Sequence, residues 1–97
     1  MKLLEGRVGL ITGAAQGIGR AYAIGAAAQG ARLAVADIGD TTTTVKEIEA
    51  AGGEAIGLHG DVTDDDSMRA VVAAAVDRFG TVDFLVNNAA IYSGLTF

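Results

Sequence analysis

Apolar positions follow two alternating rhythms along this chain: short unbroken runs, and longer stretches at helical spacing. Val8 to Thr12 is a short apolar run with β-branched members that stops at Gly13, which predicts a buried strand. Between Gly17 and Gln29, residues Ile18, Ala21, Tyr22, Gly25 and Ala28 recur at helical spacing, and Gly30 supplies a stop. Arg32 to Ala36 repeats the strand pattern and closes on Asp37. Residues from about Asp40 to Ala51 predict a second helix, with Val45 and Ile48 on its apolar side and Gly52-Gly53 at its end. Glu54 to Gly60 predicts a third strand, broken by Gly57. The third helix has the clearest pattern. Met68, Val71, Val72, Ala75, Val76 and Phe79 form an unbroken apolar stripe, Thr63 and Asp66 are spaced like a capping box, and Gly80 terminates it. Val82 to Asn87 is a fourth strand, apolar on both faces at Phe84-Leu85-Val86, as expected of a central strand covered on both sides.

Strand and helix therefore alternate as βαβαβαβ. Right-handed crossovers convert that order into an α/β, doubly wound parallel sheet with strand order 3-2-1-4. A strand as apolar as the fourth is out of place at a sheet edge, so residues 1–97 are expected to be the N-terminal part of a single domain whose remainder lies beyond the chain.

Composition narrows the chemistry. With 51% apolar and 20% charged residues in 97, the chain can bury a core and is not a disordered segment. Seven Lys and Arg against 12 Asp and Glu give a net charge of −5, which argues against nucleic acid. An anionic ligand would have to be held by backbone dipoles. There is no Cys, which excludes disulfides and thiol chemistry. The N-terminus lacks an apolar signal region and the longest apolar run, Ala70 to Val76, is too short to span a bilayer. The expectation is a soluble cytoplasmic protein with no membrane partner.

The first strand runs into Thr12-Gly13-Ala14-Ala15-Gln16-Gly17-Ile18-Gly19, where a helix begins. Orphan N–H groups and the helix dipole favour an anion at such a place. Gly13 would permit the sharp turn, Gly17 would let the backbone approach a pyrophosphate, and Gly19 would let helix and strand pack closely. A G-x-G-x-x-G fingerprint does not match, because its third glycine would fall at Tyr22. The ATP-binding P-loop fails too: Ile18 stands five residues after Gly13, with no Lys-Ser/Thr pair. Asp37 closes the second strand 24 residues after Gly13, placed to accept hydrogen bonds from ribose hydroxyls and to repel a 2′-phosphate. Position 16 is Gln, and Ile38 and Gly39 follow Asp37, so no basic residue offsets that repulsion and NAD is expected over NADP.

The pattern T-G-x-x-x-G-x-G at Thr12 to Gly19, Asp61-Val62 after the third strand and Asn87-Asn88-Ala89-Ala90 after the fourth together resemble the N-terminal part of the short-chain dehydrogenases/reductases. The resemblance covers essentially the whole chain and implies a Rossmann-type fold and an oxidoreductase that moves a hydride between nicotinamide and an alcohol or carbonyl substrate. It implies that Gly13, Gln16, Gly17, Ile18 and Gly19 hold the pyrophosphate side of NAD, and Asp37 and Ile38 its ribose. Asp61 and Val62 would meet the adenine ring, Asn87 would stabilise the sheet, and Asn88 and Ala89 would line the cofactor. The fourth position of the last motif departs from the family's Gly, and cofactor contact is not carried over to Ala90. The resemblance also implies a homo-oligomeric parent, dimer or tetramer, with its interface on later helices. Proton transfer in the family belongs to a Tyr-x-x-x-Lys pair. Here Tyr22 is followed four residues on by Ala26 and Tyr92 by Thr96, so no catalytic residue is assigned within residues 1–97.

Other residues read as structural. His59, the only histidine, is a surface or packed residue rather than a base, and Asp64, Asp65 and Asp66 form a solvated helix start rather than a calcium loop. Two alternatives stay open at this point. One is a non-catalytic NAD-binding module or sensor with the same fold, and the other is a flavodoxin-like or methyltransferase-like domain, against which Asp61-Val62 and the paired Asn speak.

Overall fold

A computed structural model describes residues 2–88. Strands β1 (Val8–Thr12), β2 (Arg32–Asp37), β3 (Glu54–His59) and β4 (Phe84–Asn87) alternate with helices α1 (Gly17–Ala28), α2 (Thr42–Ala50) and α3 (Asp65–Phe79). The strands form one parallel sheet in the order β3-β2-β1-β4, as expected from the alternation. Register is continuous across it: Leu10 of β1 lies beside Ala34 of β2 and Leu85 of β4, and Ala34 lies beside Ile56 of β3.

Two small cores follow from the strict alternation of side chains along each strand. On one face Ile11, Leu33, Val35 and Ala55 pack with Ala23 of α1 and Ile48 of α2. On the other, Leu10, Ala34 and Ala36 meet Val71 and Ala75 of α3. Every residue of β1 is buried, and a fully buried Leu or Ile contributes about 1.5–3 kcal/mol by leaving water. An asparate at the foot of the sheet locks β4 to β1: Val8 N–H donates to the Asp83 carboxylate at 2.8 Å, and Asp83 N–H returns a bond to Val8 O at 2.7 Å.

Four local expectations change. First, the face of α1 that packs on the sheet is Gly19 and Ala23, while Ile18 and Tyr22 of the predicted stripe stand more than half exposed. Small side chains let this helix lie close: a Cβ on Gly19 would overlap the Gly13 carbonyl. Second, Gly57 does not break β3. A Cβ there would overlap the Thr41 hydroxyl, so glycine lets α2 approach an unbroken strand. Third, Thr63 does not cap α3. Asp64 does, accepting from the N–H groups of Asp66 and Ser67 at 2.9 and 3.2 Å, with Gly80 closing the helix in the left-handed region as expected. Fourth, only Val71, Ala75 and Phe79 of the α3 stripe are buried, and Val72 and Val76 face outward. Among the described residues β4 lies at the sheet edge with Leu85 56% exposed, the place that the sequence marks as unusual for so apolar a strand.

Candidate cofactor-binding site

The site lies at the C-terminal ends of the strands, where β1 and β2 lead into their helices, which is where doubly wound sheets take ligands. The turn between β1 and α1 needs backbone that L-residues resist: Gly13 has φ +64° and Gly17 φ +61°. Around this turn three elements converge. Ala14 N–H donates to Ala36 O at the end of β2 (3.2 Å), and Ala15 N–H donates to the Asp37 carboxylate (2.9 Å). From α2, the Thr44 hydroxyl donates to Ala14 O at 2.7 Å. From the end of β4, the Asn88 amide donates to Gly13 O at 3.2 Å.

With residues 13–15 held in this way, the start of α1 is left free. Among the described residues, no protein group accepts from the N–H of Gln16, Gly17, Ile18 or Gly19. Gln16 makes no side-chain cap and no acid stands in the first turn, so the positive end of the helix is uncompensated. A Cβ on Gly17 would meet nothing within 4 Å, so the space above the turn is open. Asn88 is buried, and its Oδ1 has no hydrogen-bond partner among the described residues. Open space, unused donors and an orphaned acceptor together fit a phosphate-bearing ligand with hydroxyl or amide groups.

Beside the turn is a cleft of about 180 Å³ lined by Gly13, Asp37, Ile38, Gly60, Asp61, Val62 and Thr63. It brings together five of the residues singled out in the sequence. Asp37 is half-buried and already engaged, one oxygen accepting from Ala15 N–H and the other from Gly39 N–H at 2.8 Å. Ile38 is 69% exposed at the cleft's mouth. Asp61 accepts from both the hydroxyl (2.6 Å) and the N–H (2.9 Å) of Thr63, and these bonds hold its carboxyl below the usual carboxylate range. Gln16 stands at the N-cap position of α1, Gly17, Ile18 and Gly19 form its first turn, and Asn88 lies beneath the turn, while Ala89 lies outside the described residues. A larger cleft, about 450 Å³, opens at the opposite end of the sheet among Ile24, Ile48, Gly53 and Arg32, away from every free helix start.

Two residues at the site escape a reading by hydrophobic pattern. Thr44 is 0% exposed and faces the turn; its signal was the spacing Thr41, Thr44, Ile48, which puts the cap residue Thr41 and Thr44 on the buried side of α2. The donor role of Asn88 toward Gly13 had no sequence signal at all. Asn87 meets the Thr12 hydroxyl at 2.8 Å, linking the ends of β1 and β4. No group of three or more metal-ligating side chains occurs among the described residues, and no helix among them is long and apolar enough to cross a membrane.

Comparison with known proteins agrees with this geometry. Residues 7–97 match the family described as short chain dehydrogenase. The chain is 51% identical over 94 residues to L-rhamnose 1-dehydrogenase (NAD(P)(+)) from Sphingomonas sp. (strain SKA58), covering 94% of this chain and 37% of that protein. It is 45% identical over 89 residues to a sorbitol dehydrogenase from Cereibacter sphaeroides, covering 92% and 34%. Among solved structures, a short chain dehydrogenase from Mycobacterium avium superposes with a TM-score of 0.88 at 43% identity, over 91% of this chain and 34% of that one. A short chain dehydrogenase/reductase from Burkholderia phymatum in complex with NAD gives 0.82 at 39%, over 88% and 31%. The chain thus spans 31–37% of the length of these four proteins. Sequence motifs, sheet order and these likenesses coincide on one conclusion: this chain belongs to the short chain dehydrogenase family.

Proposed function

We propose that these residues are the cofactor-binding portion of an NAD(H)-dependent oxidoreductase that transfers hydride between nicotinamide and a small alcohol or carbonyl compound. The observation that carries this reading is the braced turn with its four unused N–H groups, set beside the Asp37 carboxylate, while Arg20, the next residue along α1, is ion-paired with Glu47 of α2. Gln16 to Gly19 would receive the pyrophosphate, Asp37 the adenosine ribose, and the cleft at Asp61 and Val62 the adenine ring. Ala89 remains in this reading through the family resemblance. When bound, the nicotinamide ring supplies the hydride donor or acceptor; the residues here bind and orient the other end of the same molecule. Asp37 favours NAD because a 2′-phosphate would place like charge against it.

Kinetics on the full-length protein test this. NAD should give a kcat/KM at least about tenfold above that of NADP, since a close pair of like charges costs more than about 1.4 kcal/mol. Equal efficiency with both would refute the assignment to Asp37. Tight binding of NAD without turnover of any alcohol or carbonyl would favour the non-catalytic module instead.

A further inference from the structure

The peptide group joining Ala14 to Ala15 is gripped at both ends. Its carbonyl accepts the Thr44 hydroxyl at 2.7 Å and its N–H donates to Asp37 at 2.9 Å. Thr44 is 0% exposed, and its hydroxyl reaches out of α2 to a residue 30 positions earlier, where a helical threonine would ordinarily bond back to its own preceding turn. We infer that Thr44 is a positioning residue for the phosphate-binding turn, acting through the Ala14 carbonyl and coupled through that one peptide group to Asp37.

The physical case has three parts. A buried hydroxyl is retained only where its hydrogen bond offsets the cost of taking it out of water, and Ala14 O is the partner that does so here. A donor on the carbonyl and an anion on the N–H polarise the peptide in the same sense, so each bond strengthens the other. Rotating the peptide would turn its oxygen toward the Asp37 carboxylate and its N–H toward the threonine, so the clamp fixes one orientation of the plane. That orientation sets the path of the next residues, Gln16 to Gly19, whose N–H groups are the unused donors. Ala14 itself is 0% exposed and can touch no ligand, so Thr44 works at one remove from the cofactor.

The inference rests on the NAD-binding reading above, and the test separates the two. In the full-length protein, Thr44→Ala and Thr44→Ser differ by the hydroxyl alone, and Thr44→Val keeps the core filled without it. Thr44→Ala and Thr44→Val should raise the KM for NAD about three- to tenfold, the worth of one buried hydrogen bond. The kcat should change far less, and Thr44→Ser should restore the wild-type KM. Amide hydrogen exchange at Ala15 should quicken in Thr44→Ala and not in Thr44→Ser. With Asp37→Asn, the Thr44→Ala effect should shrink, because the two grips share one peptide. Wild-type KM and Ala15 exchange in Thr44→Ala or Thr44→Val would overturn the inference. So would failure of both to fold while Thr44→Ser folds, since that assigns the Thr44 hydroxyl to the stability of the whole fold rather than to the positioning of the turn. If the wild-type protein binds no NAD, the functional reading falls, while Ala15 exchange still judges the clamp.

Discussion

Asp37 illustrates how one side chain can serve two tasks. Its carboxylate ties the glycine turn to the loop after β2 through Ala15 and Gly39, so the acceptor proposed for a ribose is preorganised. Its removal should therefore cost more than discrimination. Asp37→Ala should lower NAD affinity about tenfold or more, since hydrogen bonds to a charged group are worth about 1.5–3 kcal/mol each. Adding Ile38→Arg should narrow or reverse the preference over NADP; an unchanged NAD/NADP ratio of kcat/KM would contradict this. Asp61 makes a second prediction. Its pKa is depressed by the Thr63 hydroxyl and N–H, so the folded state binds its proton more weakly than the unfolded chain does. That contribution to stability is present above the unfolded pKa and is lost as pH falls through the folded one. Thr63→Val should move the Asp61 titration upward, measured by carboxyl NMR; an unmoved titration would mean that the hydroxyl contributes nothing.

Among the elements, the start of α1 separates binding from folding. Gly17 has a positive φ and open space around it, whereas Gly19 is pressed on the Gly13 carbonyl. Gly17→Ala should cost stability by about 1–2 kcal/mol through its backbone conformation, yet abolish most NAD binding by filling the anion's space. Gly19→Ala should chiefly lower the melting temperature, because backbone atoms cannot move aside. Equal effects of the two on calorimetric NAD affinity at matched stability would refute the division. All seven elements were legible in the sequence, since the strands are unbroken apolar runs and glycines mark the ends. The packed face of α1 was not. Apolar periodicity picks out large residues, and here Gly19 and Ala23 carry the contact while Ile18 and Tyr22 face outward. Thr44 was missed for a related reason: hydroxyls count as polar, although one that is hydrogen-bonded can be buried. The motif residues Gly13, Asp37 and Asp61 were legible because strand ends place them in one cleft.

For the molecule as a whole, one flank is unfinished within residues 2–88. Met68, Val72 and Val76 of α3 line a surface on the same side of the sheet as Leu85, whose strand has no neighbour on its outer edge among the described residues. Such an edge beside apolar side chains invites association. Residues 1–97 expressed alone should scatter light and melt without cooperativity, and should not oxidise alcohols with NAD. A monomeric segment with a sharp thermal transition would refute the first expectation, and turnover by it the second. The pairing of β1 has a further consequence, in time. It joins β2 across 24 residues (Val8 with Arg32) but β4 across 75 (Gly9 with Phe84). Closing the longer loop costs more chain entropy, so the β1–α1–β2 unit forms first and β4 docks late. During synthesis at about 5–20 residues per second, the 50 residues between Asp37 and Asn87 take about 3–10 s to follow. For that interval the ribosome holds a nascent chain whose central strand is paired on one side only. The Asp83 carboxylate, arriving just ahead of β4, is the first group able to close that side by capturing Val8.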